Sequence, residues 1–159
     1  MIYADHAATT KISEIAKLAM LSAMEKDWYN PSSLYTPGQQ ASGTLMDARV
    51  RIARCLGCLP KEIYFTSGGS EADNQAILSA AAIGKRQGKM HIISTAFEHH
   101  AVLHTLKKLE KEGFEITLLD VGEKGIVSPE QVEKAIRPDT ALVTVMYANL
   151  SLIHISEPT

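Results

Sequence analysis

The chain has 159 residues, 45% of them hydrophobic and 21% charged, with a formal net charge of -2. That length and apolar fraction suffice for one buried core, while the lack of a clustered sign excludes the basic stripe of a nucleic-acid-binding protein and a polybasic membrane anchor. No apolar run approaches the roughly 18–20 residues that cross a bilayer, and Met1–Asp5 lacks a signal-peptide pattern, so a cytoplasmic protein is expected.

In chain order, residues 14–27 are predicted as a helix with Ile15, Leu18, Ala19 and Ser22 on one face. Trp28-Tyr29-Asn30-Pro31-Ser32-Ser33 breaks the pattern as a loop. A second helix is predicted over 39–56, where Leu45, Ala48, Ile52 and Cys55 recur at helical spacing, with Gly57 as its terminator. A regular alternation follows. Strands are predicted at 62–66, 90–95, 114–121 and 141–148, and helices opening in the segment 67–72 and running to about Ile83, from about His99 to Glu112 and from Pro129 onward. Ser128-Pro129-Glu130-Gln131 supplies the last helix with an N-cap, a proline at N1 and a glutamine at N3. The nearly all-apolar run Ala141–Ala148 suits a strand covered on both faces. Alternating strands and helices imply an α/β fold, a mostly parallel sheet with flanking helices.

The two cysteines, Cys55 and Cys58, stand in a C-x-x-C spacing. Zinc would need two further ligands, and a redox motif would open a helix rather than close one. They read as small packing residues, and no metal site is expected. After Asn149 the run Leu150–Thr159 offers no turn, cap or crossover helix. It resembles the peptide obtained when a sequencing adapter is read as coding sequence, so residues 150–159 are expected to be foreign to the natural protein.

Chemistry is concentrated at strand ends. Phe65-Thr66-Ser67-Gly68-Gly69-Ser70-Glu71 passes from a strand through two glycines into a helix. Glycines allow close backbone approach, and the unsatisfied amides and positive dipole end of the helix favour an anion, to which the Ser70 hydroxyl adds a donor. This is a candidate phosphate cradle, although many such turns bind nothing. The pattern is neither G-x-x-x-x-G-K-[ST] nor G-x-G-x-x-G. Glu98-His99-His100-Ala101 follows the next strand. Ligands of open parallel sheets sit beyond the strands' carboxyl ends, so His99 is placed to lie on an aromatic ligand and to exchange protons near neutral pH; the plainer alternative is a helix cap. His100 and His104 carry no comparable argument. Asn149 closes the last apolar strand at the same edge, either as a hydrogen-bond donor to a ligand oxygen or as a simple turn residue.

Five ordered blocks covering residues 2–149 carry a family resemblance. Asp5-His6-Ala7-Ala8-Thr9-Thr10 resembles a D-N-A-A-T-T opening. Asn30-Pro31-Ser32-Ser33 matches an N-P-S-S loop, with Gly38 and Ala41 following. Phe65–Asn74 is similar to F-T-S-G-[GA]-[ST]-E-[AS]-[DN]-N, and Glu98–Val102 to E-H-x-A-V. Val145–Asn149 resembles the start of V-x-x-x-N-N-E-x-G. Together they resemble the N-terminal part of the NifS/IscS-type cysteine desulfurases, class V aminotransferase relatives that use pyridoxal 5'-phosphate (PLP). The N-P-S-S loop favours that branch over the SufS-like one.

The resemblance implies an incomplete PLP fold type I (aspartate-aminotransferase-like) large domain over residues 14–149. Residues 1–13 would form an N-terminal segment joining the small domain of a longer parent protein. It implies Gly69 and Ser70 as ligands of the cofactor phosphate, and His99 as the residue stacked on the pyridine ring and the catalytic proton-transfer candidate. Asn149 would bond the phenolic oxygen. The implied reaction converts L-cysteine to L-alanine, passing sulfur to an enzyme cysteine as a persulfide. The implied partners are a second copy of the chain and a sulfur acceptor such as an iron–sulfur scaffold.

His6 and Tyr35 depart from the Asn and His usual at their places. The family's cofactor-contacting Asp and Gln, its Schiff-base lysine and its persulfide cysteine are expected beyond Asn149. Cys55, Cys58 and the lysines of this chain match none of them, so the chain alone is expected to lack desulfurase activity. A selenocysteine lyase-like PLP enzyme, a non-catalytic phosphate-binding module and a C-x-x-C redox protein are the competing readings.

Overall fold

A computed structural model describes residues 2–6, 8–122 and 125–149. The adapter-like run 150–159 lies outside them. The chain divides into two compact units between Phe65 and Thr66.

The first unit holds two helices. Ser13 caps α1 (Glu14–Lys26) by accepting the Ala16 N–H at 3.2 Å. None of its residues is buried, and Ile15 and Leu18 of the expected apolar face are exposed. The Asp27 carboxylate after it accepts from Gln40 Nε2 and Thr44 Oγ1, each at 3.1 Å, which ties the end of α1 to α2 (Thr36–Leu56). Gly57 ends α2 in the left-handed conformation, φ 68°, a region open to glycine without a Cβ penalty.

Two expectations are corrected here. Residues 63–66 form no strand: a short 3-10 turn, Pro60–Glu62, is followed by unpaired chain. Strand propensity in Ile63-Tyr64-Phe65 is not enough without a neighbouring strand to accept its hydrogen bonds. The cysteines are not packed in a helix end either, since Cys55 is exposed and Cys58 half-buried. Ala53 is the buried residue of that last turn, and the helical period turns Cys55 away from it.

The second unit is a parallel α/β layer. Its elements are α3 (Gly69–Arg86), β1 (His91–Thr95), α4 (His100–Lys111), β2 (Glu115–Leu119), α5 (Pro129–Ala135) and β3 (Thr140–Val143). The strands order as β2-β1-β3, with β1 pairing parallel to both neighbours. Every residue of β1 is buried. Its Ile92 joins Ile77 and Ala81 of α3, Val102, Leu106 and Leu109 of α4, and Phe114 in one apolar cluster. Ser128 Oγ accepts the Gln131 N–H at 3.2 Å while Gln131 Oε1 accepts the Ser128 N–H at 2.8 Å, the reciprocal cap expected from the sequence.

The last strand is shorter and barer than expected. β3 ends at Val143 and lies at a sheet edge, with Val143 37% and Val145 41% exposed. An all-apolar run is therefore not evidence of burial on both faces within this chain. That half-bare edge is what the desulfurase reading requires and what a self-contained phosphate-binding module does not. Among the described residues no helix is long and apolar enough to cross a membrane.

Candidate functional site

The carboxyl end of the sheet gathers the residues singled out in the sequence. β1 ends at Thr95, and the chain runs through Phe97 and Glu98 into α4. The Glu98 carboxylate is buried, 6% exposed, and its Oε1 accepts from Thr95 Oγ1 at 3.3 Å and from the Met146 N–H at 2.6 Å. It thereby fastens the segment after β3 to the end of β1. Asn149 Nδ2 donates to the Phe97 carbonyl, a second tie between the same two segments.

His99 is the N-cap of α4, as the plainer reading of it held. Its Nδ1 accepts the Ala101 N–H at 3.1 Å. An accepting Nδ1 is unprotonated, so in the neutral ring the proton sits on Nε2. The residue is exposed, and its ring lies 6.2 Å, centroid to centroid, from that of His100. Capping and ligand contact are compatible, because the cap uses one nitrogen of an exposed ring.

The turn into α3 has the features of an anion seat. Glu71 accepts the Ser67 N–H at 2.7 Å and the Ser67 hydroxyl at 2.6 Å, and these two bonds hold its carboxyl below the ordinary carboxylate range. Thr66 Oγ1 donates to the Gly68 carbonyl at 3.1 Å. The Ser67 amide and the hydroxyls of Thr66 and Ser67 are thus satisfied locally. Gly68, the N-cap, supplies no side-chain cap, so the first-turn amides, those of Gly69 and Ser70 among them, point outward without one.

The glycine pair is informative because the fold does not demand it. Gly68 has φ 166°, extended backbone that any residue adopts, and Gly69 is not among the positive-φ glycines. A Cβ built at either would meet no heavy atom within 4 Å. Neither conformation nor crowding among the described residues calls for glycine here. Glycines in such a place leave room for a ligand to approach bare amides, and a phosphate group fits that donor set.

Sequence reasoning overlooked two residues that organise this end. Asn74 and Glu98 were visible in the matched blocks but carried no role. The available signal for Glu98 was a carboxylate three residues past the end of a strand, just before the next helix. His91, at the opposite end of β1, was also passed over: it is fully buried and hydrogen-bonded through both ring nitrogens.

The sequence matches the family described as Aminotransferase class-V over residues 2–152. It is 49% identical over 148 residues to the putative cysteine desulfurase IscS 1 of Bacillus subtilis (strain 168), covering 93% of this chain and 39% of the relative. Identity to the cysteine desulfurase IscS of Methanosarcina thermophila is 46%, covering 93% of this chain and 36% of that protein. The chain thus spans under two-fifths of the length of these curated relatives. Among solved structures, a NifS-like protein superposes with a TM-score of 0.84 at 35% identity, covering 90% of this chain and 39% of that one. SspA in complex with cysteine gives a TM-score of 0.84 at 37% identity, covering 93% and 42% respectively. The fold is that of the NifS-like PLP fold type I proteins, and the chain belongs to the PLP-dependent aminotransferase class-V family.

Proposed function

We propose that this chain supplies the phosphate- and ring-holding part of a PLP-dependent cysteine desulfurase. The observation that carries the reading is the Gly68-Gly69 turn at the start of α3, where neither backbone conformation nor crowding among the described residues requires glycine. The relatives named cysteine desulfurases and the cysteine held by SspA support L-cysteine as the substrate.

In this reading the amides of Gly69 and Ser70, with the Ser70 hydroxyl, hold the cofactor phosphate at the positive end of α3. His99 lies against the pyridine ring, oriented by the Ala101 N–H on its Nδ1, and takes up or releases a proton at Nε2. Asn149, fixed by the Phe97 carbonyl, presents its carboxamide to the phenolic oxygen. PLP itself contributes an electron sink that labilises bonds of a bound amino acid. The parent enzyme acts as a homodimer in the cytoplasm and hands sulfur to an acceptor such as an iron–sulfur scaffold.

The test begins with the reading frame downstream of Asn149. The protein encoded by the continuous frame is expected to bind PLP with a visible absorption band and to release alanine from L-cysteine in step with sulfur transfer. Failure of that protein to bind PLP overturns the reading. Binding of PLP with elimination from selenocysteine but not cysteine moves it to the selenocysteine lyase-like alternative.

A further inference from the structure

One carboxamide joins the first turns of α3 and α4. Asn74 Nδ2 donates to the Ser70 carbonyl at 2.6 Å and reaches the Ala101 carbonyl at 3.5 Å. Its Oδ1 accepts the Thr105 hydroxyl at 2.5 Å, and that hydroxyl also lies 2.8 Å from the Ala101 carbonyl. Thr105 is buried at 3% exposure. Ala101 in turn donates its N–H to His99 Nδ1. A continuous polar path therefore runs from the peptide of Ser70, through Asn74, Thr105 and Ala101, to the imidazole of His99.

The amide has one sensible orientation. Flipping it would aim Oδ1 at two carbonyl oxygens and present the NH2 group to a hydroxyl whose proton then loses its nearer acceptor. Helix packing does not need this link. The apolar contact between α3 and α4 is made by Ile77, Ala81, Val102, Leu106 and Leu109, and an asparagine inside a helix costs about 0.5 kcal/mol against alanine in propensity. A polar clip placed at the ligand-facing end, rather than in the middle of the interface, suits registration of two sites better than adhesion of two helices.

We propose that Asn74 and Thr105 are positioning residues that set the separation between the phosphate-holding amides of Gly69–Ser70 and the His99 ring. A ligand that spans both, a phosphorylated pyridine, is then bound in a single register, whereas a ligand touching only the amides is indifferent to the clip. This rests on the PLP reading of the site.

The experiment compares two probes on the cofactor-free protein encoded by the continuous reading frame, by isothermal titration calorimetry: inorganic phosphate, which engages the amides alone, and PLP, which engages both ends. Thr105→Val keeps the side-chain shape and removes the hydroxyl, while Thr105→Ser keeps the hydroxyl. PLP affinity is expected to fall about tenfold in Thr105→Val, the scale of one well-made hydrogen bond, with phosphate affinity unchanged and Thr105→Ser close to the parent. In a His99→Ala background the Thr105→Val loss is expected to vanish, because the clip acts through that ring. Should Thr105→Val fail to fold, Asn74→Ala, which favours helix, is expected to give the same two-probe pattern. An equal fall for both probes, no fall for either, or failure of Thr105→Ser to rescue overturns the proposal. If the unsubstituted protein of the continuous frame binds phosphate but not PLP, or neither probe, the cofactor reading falls and the proposal with it.

Discussion

His91 and His99 stand at opposite ends of the same buried strand and have opposite uses. At the amino end, His91 is fully enclosed and bridges all three strands, with Nδ1 2.8 Å from Thr140 Oγ1 on β3 and Nε2 2.8 Å from Thr117 Oγ1 on β2. Thr140 Oγ1 also accepts the Arg137 N–H at 2.8 Å, which extends the link from His91 to the start of β3. Every polar valence of that imidazole is spent inside the fold. At the carboxyl end, His99 is exposed and spends one nitrogen on a cap. The difference teaches that a histidine's neighbours, not its presence beside an apolar strand, decide whether it serves structure or chemistry.

The largest test of this contrast is His91→Ala. Removal of a fully buried side chain and both bridges is expected to cost about 2–5 kcal/mol, read as a fall in urea midpoint. A cost near zero would break the comparison at its structural end. Gly84→Ala should come next. A Cβ there would lie 2.4 Å from Ala141 Cβ and 3.1 Å from the Lys89 carbonyl, so α3 must move off β3 at about 1–3 kcal/mol; an unchanged melting temperature would show that the helix shifts freely.

His99→Ala is expected to lower stability by only about 1 kcal/mol, the worth of a cap, while weakening PLP binding by calorimetry. The reverse pattern, large instability with intact binding, would make His99 a structural residue like His91.

A pH profile sharpens the same comparison. Burial, with help from the Arg137 charge, holds the His91 imidazole below its ordinary value despite Asp139 and Glu115 nearby. The folded state thus favours the neutral ring, while the unfolded chain takes up a proton near pH ~6.5. Stability from this source is complete above about pH 6.5 and is lost as pH falls toward the folded value. The slope should disappear in His91→Gln. Glu115 and Asp139, held low mainly by hydrogen bonds from Arg137, act only in the carboxylate range, so the two windows separate.

The smallest effect is expected for Arg137→Met. Its guanidinium lies 2.5 Å from Glu115 and 2.9 Å from Asp139, but all three side chains are substantially exposed, and solvent screens such pairs. The change in melting temperature should be slight and should shrink further in high salt. A large, salt-independent loss would mean that Arg137 supports His91 rather than the surface.

The sequence by itself determined the alternation of elements, the cap at Ser128 and the stop at Gly57, because these depend on local periodicity and on side chains reaching their own backbone. It also determined the family, through the order of its motif blocks, and it located Gly69, Ser70 and His99 at element ends, whereas Asn149, expected at the end of the last strand, lies beyond the end of β3 at Val143. Only the tertiary structure decided that 63–66 stays unpaired and that β3 is a half-bare edge, since a strand exists only where another offers its hydrogen bonds. Cys55 was misread as a packing residue because apolar spacing along a helix does not say which face meets a partner. Tertiary structure alone separated His91 from His99 and revealed the Asn74–Thr105 clip and the Glu98 tie. Those links join residues far apart in the chain, through directional bonds that no linear pattern encodes.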